Sequence, residues 1–437
     1  MRNWTAQRCF KVSKNKLIPW LVALTLSSCG KKIALEPGER EDAFEESTSS
    51  NAVTEPFSPS LLATSSIPGN VWSQPGYNNQ HLMGPFALSP HLSLRHKVKA
   101  SGHYTVPISP VANTKYVFVL TKQGTVAAFS MRGEKKWETS IMQRDIKYQD
   151  IKDLSGGLAC NEQNVYVTTP QKQTLALDSF SGKILWTHNT HAPARNGPCL
   201  TSKHLIVTTN DGCTHLSDIK TGKKLWEYIN DLSENTSLIY SAAPAVDQDH
   251  IIAATNAGEV MSIDAQQGSL LWVQNVSSEP KENSIVHIAA LPVVKNDRIY
   301  TLSYNGQMTC CHRHNGRILW TQKVKSYHTP VISGKVIFVV TEDNRLQAFN
   351  VHNGAQYWDI PLPKKLGNAS APLYAGNRIY ITGSGGYMMA LDPKNQGAVL
   401  QEWHLKEPCT TAPIIVKNQL IVLSDQGSLF FFGPKKT

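Results

Sequence analysis

The chain has 437 residues and a formal net charge of +10, from 43 Lys and Arg against 33 Asp and Glu. Five of the positive charges lie in the first 28 residues and residues 29–69 balance to −4, which leaves about +9 on residues 70–437. No Lys/Arg cluster with interleaved aromatic residues accompanies that surplus, so it reads as dispersed solvating charge and argues against a nucleic-acid partner.

Residues 1–16 carry Arg2, Arg8, Lys11, Lys14 and Lys16 and no acidic residue, and an apolar stretch follows at Leu17–Leu26. That stretch is too short to span a bilayer and has the form of a signal-peptide core. It ends in Leu26-Ser27-Ser28-Cys29, which resembles a bacterial lipobox. Only small side chains fit a signal peptidase beside the scissile bond, and a thiol is needed to accept diacylglycerol. The expectation is cleavage between Ser28 and Cys29 and lipidation of Cys29. Gly30 follows where an inner-membrane retention signal has Asp, so the outer membrane is the expected address. Residues 29–69 are rich in Ser, Pro, Thr and Glu without an apolar period and read as a tether. A flexible chain of that length reaches roughly 30–40 Å.

From residue 70 onward the sequence is a repeat. Trp137, Trp186, Trp226, Trp272, Trp320, Trp358 and Trp403 recur every 38 to 49 residues, each closing a similar phrase. The phrase is clearest at 164–186, NVYVTTPQKQTLALDSFSGKILW, and returns at 250–272, 298–320 and 336–358. A period of that length marks supersecondary units that cannot bury their apolar faces alone. Each unit reads as strands. Runs such as Arg298–Ser303 alternate at period two, and Asp211-Gly212 or Asn305-Gly306 supplies a tight hairpin. A second turn holds Gly182, Gly222, Gly268, Gly316 or Gly354, each four residues before its Trp. A short apolar run, often after a proline (Pro110, Pro198, Pro244, Pro292, Pro330, Pro372, Pro413), opens each unit.

Four strands per unit make the blade of an all-β propeller. The units start near Val111, Leu158, Cys199, Ala245, Val293, Val331, Leu373 and Ile414, so the ring has eight blades over residues 70–437. The last unit lacks a fourth strand, and Leu92–Lys99 is placed to supply it and remove an open edge. The tryptophans are expected to pack between neighbouring blades.

Catalytic patterns are missing. The sequence holds no HExxH, CxxC, GxSxG or GxxxxGK[ST] motif. His312-Arg313-His314 falls on a turn and reads as solvated, Asp247-Gln248-Asp249 lacks the glycine and closing Glu of a calcium loop, and Gly383–Gly386 reads as a hairpin turn. Cys160, Cys199, Cys213, Cys310, Cys311 and Cys409 fall at strand positions and are expected as small core residues. Cys310 and Cys311 are adjacent in mid-strand, so their thiols should diverge to opposite faces. Neither a metal nor a cofactor is expected.

The unit Ala176–Trp186, with ALD, Gly182 and Trp186 in fixed spacing, is similar to the repeat of pyrroloquinoline-quinone-type propellers. That family includes quinone-dependent dehydrogenases and non-catalytic BamB lipoproteins of outer-membrane barrel assembly. The lipobox favours the BamB branch, and Val71–Asn78 and Pro292–Thr309 resemble its opening segment and one of its middle blades. The resemblance implies a scaffold that docks through loops on the periplasmic repeats of the barrel insertase, BamA, and helps deliver unfolded outer-membrane proteins. The corresponding loops are Ser237–Tyr240, with Leu238, Ile239 and Tyr240, and Ser284–Leu291, with Val286, His287 and Ile288. Leu238 matches an apolar contact of the family. Ile239 stands where the family has a basic residue, and His287 and Ala289 where it has acidic ones, so the expected contact is either apolar or displaced from the family's position. Two rival readings remain: a lipoprotein that binds peptidoglycan or a small ligand in the channel, and a quinone-dependent dehydrogenase. The latter needs Asp, Asn and Arg around a channel cofactor and is typically much longer.

Overall fold

The computed structural model describes residues 54–100, 108–121, 124–141, 156–194, 196–230, 242–277, 288 and 290–435. They form eight four-stranded antiparallel sheets, each with its strands in sequential order except the last. The innermost strands are Val111–Ala112, Gly157–Cys160, Cys199–Leu200, Ala245–Asp247, Val293–Lys295, Val331–Ser333, Leu373–Ala375 and Ile414–Val416. The eight blade starts read from the sequence are those of the structure. In the eighth blade Leu92–Lys99 pairs antiparallel with Ser428–Pro434, from Leu92 opposite Pro434 to Lys99 opposite Ser428, with a bulge at Arg95. The ring is closed by its N-terminal strand, as expected.

The two middle strands of a blade are not half-solvated. Arg298–Ser303 and Gln307–His312 are almost wholly buried despite their polar members. Blades stack face to face, so both sides of a middle strand meet protein, and only outermost strands such as Leu270–Asn275 alternate toward solvent. Cys310 and Cys311 accordingly enter two different cores, one with Tyr300 and Trp320 and the other with Ile252 and Ile299.

The Gly-x3-Trp spacing joins successive blades. Gly182, Gly222, Gly268, Gly316 and Gly354 have φ between +70° and +74° in the last turn of their blade. A Cβ on any of them would come within 2.5–2.8 Å of Trp137, Trp186, Trp226, Trp272 or Trp320 of the preceding blade. Only glycine permits both the left-handed backbone and the indole against it. Trp137, Trp226 and Trp272 also donate Nε1–H to the carbonyls of Ser179, Ala265 and Arg313, at 2.9, 3.1 and 2.9 Å, in the same turns.

The inner edges of the eight innermost strands face the channel with unpaired backbone groups, and one segment satisfies them. Trp72 exchanges two 2.8 Å bonds with Ala112, and the carbonyls of Ser73, Asn79, Gln80 and Gly69 accept from Cys160, Val246, Val294 and Lys417. Gln74 Oε1 accepts from Leu200 N at 2.6 Å. Leu61 O takes Lys335 N, and Phe86 bonds both Tyr374 and Gly376. Residues 61–88 therefore touch every blade and carry Trp72, Tyr77 and Phe86 as a mutually packed aromatic cluster.

The tether expectation, drawn to residue 69, is corrected here for its last part. Phe57 packs edge-on against Tyr357 and Trp358, Glu55 accepts from Asn350 and Asn353, and Leu62 is buried. Two aromatic-sized or leucine anchors in a polar stretch suffice to hold it on the ring. Residues 1–53, including Ser28 and Cys29, lie outside the described residues.

Candidate docking face and inter-blade cleft

Connections between blades and the central hairpin turns share one face of the ring. Val276 N–H bonds Gly258 O at 3.0 Å and Val324 N–H bonds Gly306 O at 2.9 Å, tying the start of a connection to the hairpin of its own blade. Leu238, Ile239, Tyr240, Val286 and His287 lie outside the described residues. Their flanks are fixed, with Ala242, Ala243 and Ala290 each 1% exposed. Ile288 departs from the expectation of a partner contact. It is buried among Ala242, Ala245, Ile252, Val276 and Val294, so its side chain anchors the loop base.

The His312-Arg313-His314 turn also departs from its reading as solvated. Arg313 is 5% exposed at its side chain, and its Nη1 donates to Asp247 Oδ2 at 2.8 Å. Asp247 Oδ1 accepts from Gln80 Nε2 at 2.7 Å. A buried charge needs such a partner, and here the ion pair joins the fifth blade, the fourth blade and the channel segment. Asp247-Gln248-Asp249 is the turn that presents the carboxylate. Gly383–Gly386 is a hairpin turn packed under Leu366. His81, inside the channel, donates Nδ1–H to Pro292 O at 2.9 Å, and burial holds its pKa down at about 4.

Between the second and third blades lies a cleft of about 340 Å³, lined by Trp186, His188, His191, His215, Lys224 and Glu227 among others. His215 Nδ1 stands 3.1 Å from Glu227 Oε1, and Lys224 donates to the other carboxylate oxygen. The Lys224 hydrogen bond holds Glu227 below the usual carboxylate range, while burial pushes His215 down. At the cleft edge His191 Nδ1 meets Asp211 Oδ2 at 2.8 Å. Cys213 is buried beside them, and burial followed by the Asp211 charge pushes its thiol up to about 12.

The model of the family described as "Outer membrane protein assembly factor BamB" matches residues 122–360, more than half of the chain. The chain belongs to the BamB family. BamB of Yersinia pestis is 23% identical over 331 residues, covering 75% of this chain and 74% of the relative. BamB of Escherichia coli K12 is 23% identical over 334 residues, covering 76% and 75%. The crystal structure of BamB from Moraxella catarrhalis superposes with a TM-score of 0.65 at 18% identity, over 79% of this chain and 98% of that one. A europium-containing methanol dehydrogenase superposes at 0.69 with 12% identity, over 84% and 98%, which shows a shared fold alone.

In this BamB-family chain Asp211 reads from the sequence as a hairpin residue and Cys213 as a small core residue, while His191 and His215 carry no local signal of a role. Asp211 sits in the hairpin turn, Cys213 just ahead of the strand Thr214–Asp218 and His215 within it, so no strand alternation links the three in the sequence.

Proposed function

We propose that this protein is a non-catalytic scaffold lipoprotein of outer-membrane β-barrel assembly. It is anchored by lipid on Cys29 to the periplasmic side of the outer membrane. The connections around Leu238–Tyr240 and Val286–His287 dock on the periplasmic repeats of the insertase BamA, and the assembled machinery receives unfolded outer-membrane proteins. The observation that carries this reading is the family match over residues 122–360, which spans both connections.

The test is affinity capture from solubilised membranes. Wild type should retain assembly-machinery subunits, while Leu238 and Tyr240 changed together to Glu should lose most of that capture. Apolar anchors dominate such interfaces, and surface-loop changes usually cost within about 0.5 kcal/mol of stability. Undiminished capture by the double variant would remove these loops from the reading, and calcium- and quinone-dependent dye reduction would overturn it altogether. Mass spectrometry of the mature N-terminus should show a lipid-modified Cys29; an unmodified chain starting elsewhere would end the anchor proposal.

A further inference from the structure

The edge of the cleft brings together three different metal-ligand chemistries. His191 Nδ1, an Asp211 carboxylate oxygen and Cys213 Sγ lie within 4.8 Å of one another. Tetrahedral zinc, with bonds of about 2.0–2.3 Å, keeps its ligand atoms about 3.3–3.8 Å apart. His191 Nδ1 and Asp211 Oδ2, now hydrogen-bonded at 2.8 Å, would have to part by about half an ångström as the other separations shorten, and the exposed His191 side chain can make that movement.

The backbone sets this arrangement. Asp211 and Gly212 form the hairpin of the third blade, with Gly212 N–H on Thr209 O at 3.0 Å and Thr209 N–H on Cys213 O at 2.9 Å. Gly212 has φ +80°, which closes the turn and holds Asp211 and Cys213 at its two sides. His191 arrives on the connection from the second blade. That connection is fastened at Thr190 N–H to Lys172 O, 2.7 Å, and at Asn210 N–H to Pro193 O, 2.9 Å. The carboxylate of Asp211 meanwhile accepts from Thr209 Oγ1, from Cys213 N–H and from His191 Nδ1, which already draws the three ligand residues together.

A second observation points the same way. His215, two residues beyond Cys213, lines the cleft with its side chain 7% exposed. Glu227 engages its Nδ1, and its buried Nε2 has no partner among the described residues. Buried polar atoms without partners are uncommon and point to a ligand or ion nearby.

We propose that His191, Asp211 and Cys213 bind a divalent cation of the zinc type, with a fourth position facing the cleft beside His215. A nitrogen, a carboxylate oxygen and a thiolate together suit zinc over calcium or magnesium, which take oxygen ligands. On binding, a metal–Sγ bond forms and the Cys213 S–H bond breaks; its proton leaves to solvent, and no electrons are transferred. The ion staples the connection between the second and third blades to the third blade's hairpin.

Cobalt(II) and zinc titrations of the purified full chain test the site. Wild type should bind one equivalent and give a thiolate-to-cobalt charge-transfer band that zinc abolishes. Cys213→Ser should lose the band, and His191→Ala should weaken binding at least tenfold. Lys224→Ala, beside the cleft but outside the ligand set, should leave binding unchanged. Circular dichroism checks folding; should Cys213→Ser misfold, Asp211→Asn takes its place with the same expected loss of affinity. A band that persists in Cys213→Ser, equal affinity in His191→Ala, or no binding tighter than millimolar in wild type would each overturn the proposal.

Discussion

The joints of the ring fall into two kinds. Five successive joints, from the first blade to the sixth, set an indole on a left-handed glycine. The arc through the seventh and eighth blades does without that device. Gly397 faces Ile360 instead of Trp358, Trp403 packs edge-on against Phe432 at 5.8 Å, and Gly133 of the first blade meets Val98 of the closing strand. The locked arc is held by a local rule repeated along the chain. The closing arc is held by residues far apart in sequence, so it depends on the ends being in place.

Deleting everything before Ala100 attacks the closing arc and should have the largest effect. It removes the strand paired with Ser428–Pro434 and the segment that satisfies the inner strands of all eight blades. Loss of cooperative thermal unfolding is expected; a normal melt would show that closure contributes little. Gly268→Ala attacks the locked arc, forcing a Cβ to 2.7 Å from Trp226 at φ +71°. Left-handed strain and overpacking together should cost about 2–4 kcal/mol in denaturant unfolding. Gly133→Ala, at φ +82°, meets only the tip of Val98 and should cost less, about 1–2 kcal/mol. Equal losses at the two sites would erase the distinction between the arcs.

Acid should probe the channel segment together with His328, which burial also holds down at about 4. His81 has a pKa of about 4 in the folded protein against 6.5 for an ordinary histidine. The unfolded chain therefore binds the extra proton first. Stability is complete above about pH 6.5 and falls through the window down to about pH 4, by up to about 3 kcal/mol. Flattening of that slope in His81→Asn, followed by chemical denaturation at several pH values, is the expected outcome. Gly306→Ala sets the baseline. Its φ is +96°, but the nearest atom to a new Cβ is 3.6 Å away, so about 1 kcal/mol of backbone strain is all that should be seen.

These contrasts also explain what could be read from residues alone. The blade starts, the Gly-x3-Trp joints and the closing strand follow from local periodicity and from counting strands. The roles of Phe57, Gln74 and His81 depend on partners that are hundreds of residues away or scattered over several blades, and no local pattern announces them. Arg313 looked solvated because its turn is polar, yet the turn folds over Asp247 of the preceding blade. At the cleft, Cys213 was read as core filler since burial alone suggests that; only its nearness to His191, carried by a different blade connection, gives it chemistry. Ile288 shows the converse, an apolar loop residue whose burial at the loop base makes it structural.

The channel segment has a consequence for how the chain reaches its native state. Residues 61–88 and 92–99 are synthesised before any blade exists, yet Gly69 bonds Lys417 and Leu92 pairs with Pro434. The earliest part of this domain to emerge must wait for the latest. Such separation makes ring completion slow relative to hairpin formation, which takes microseconds. A nascent chain interrupted before the eighth blade can build hairpins and stack tryptophans on glycines, but its first inner edges stay open. Completion of the eighth blade, from Ile414 to Pro434, thus works as a checkpoint: until it arrives, the molecule is an open arc with exposed strand edges, a natural substrate for chaperones and proteases.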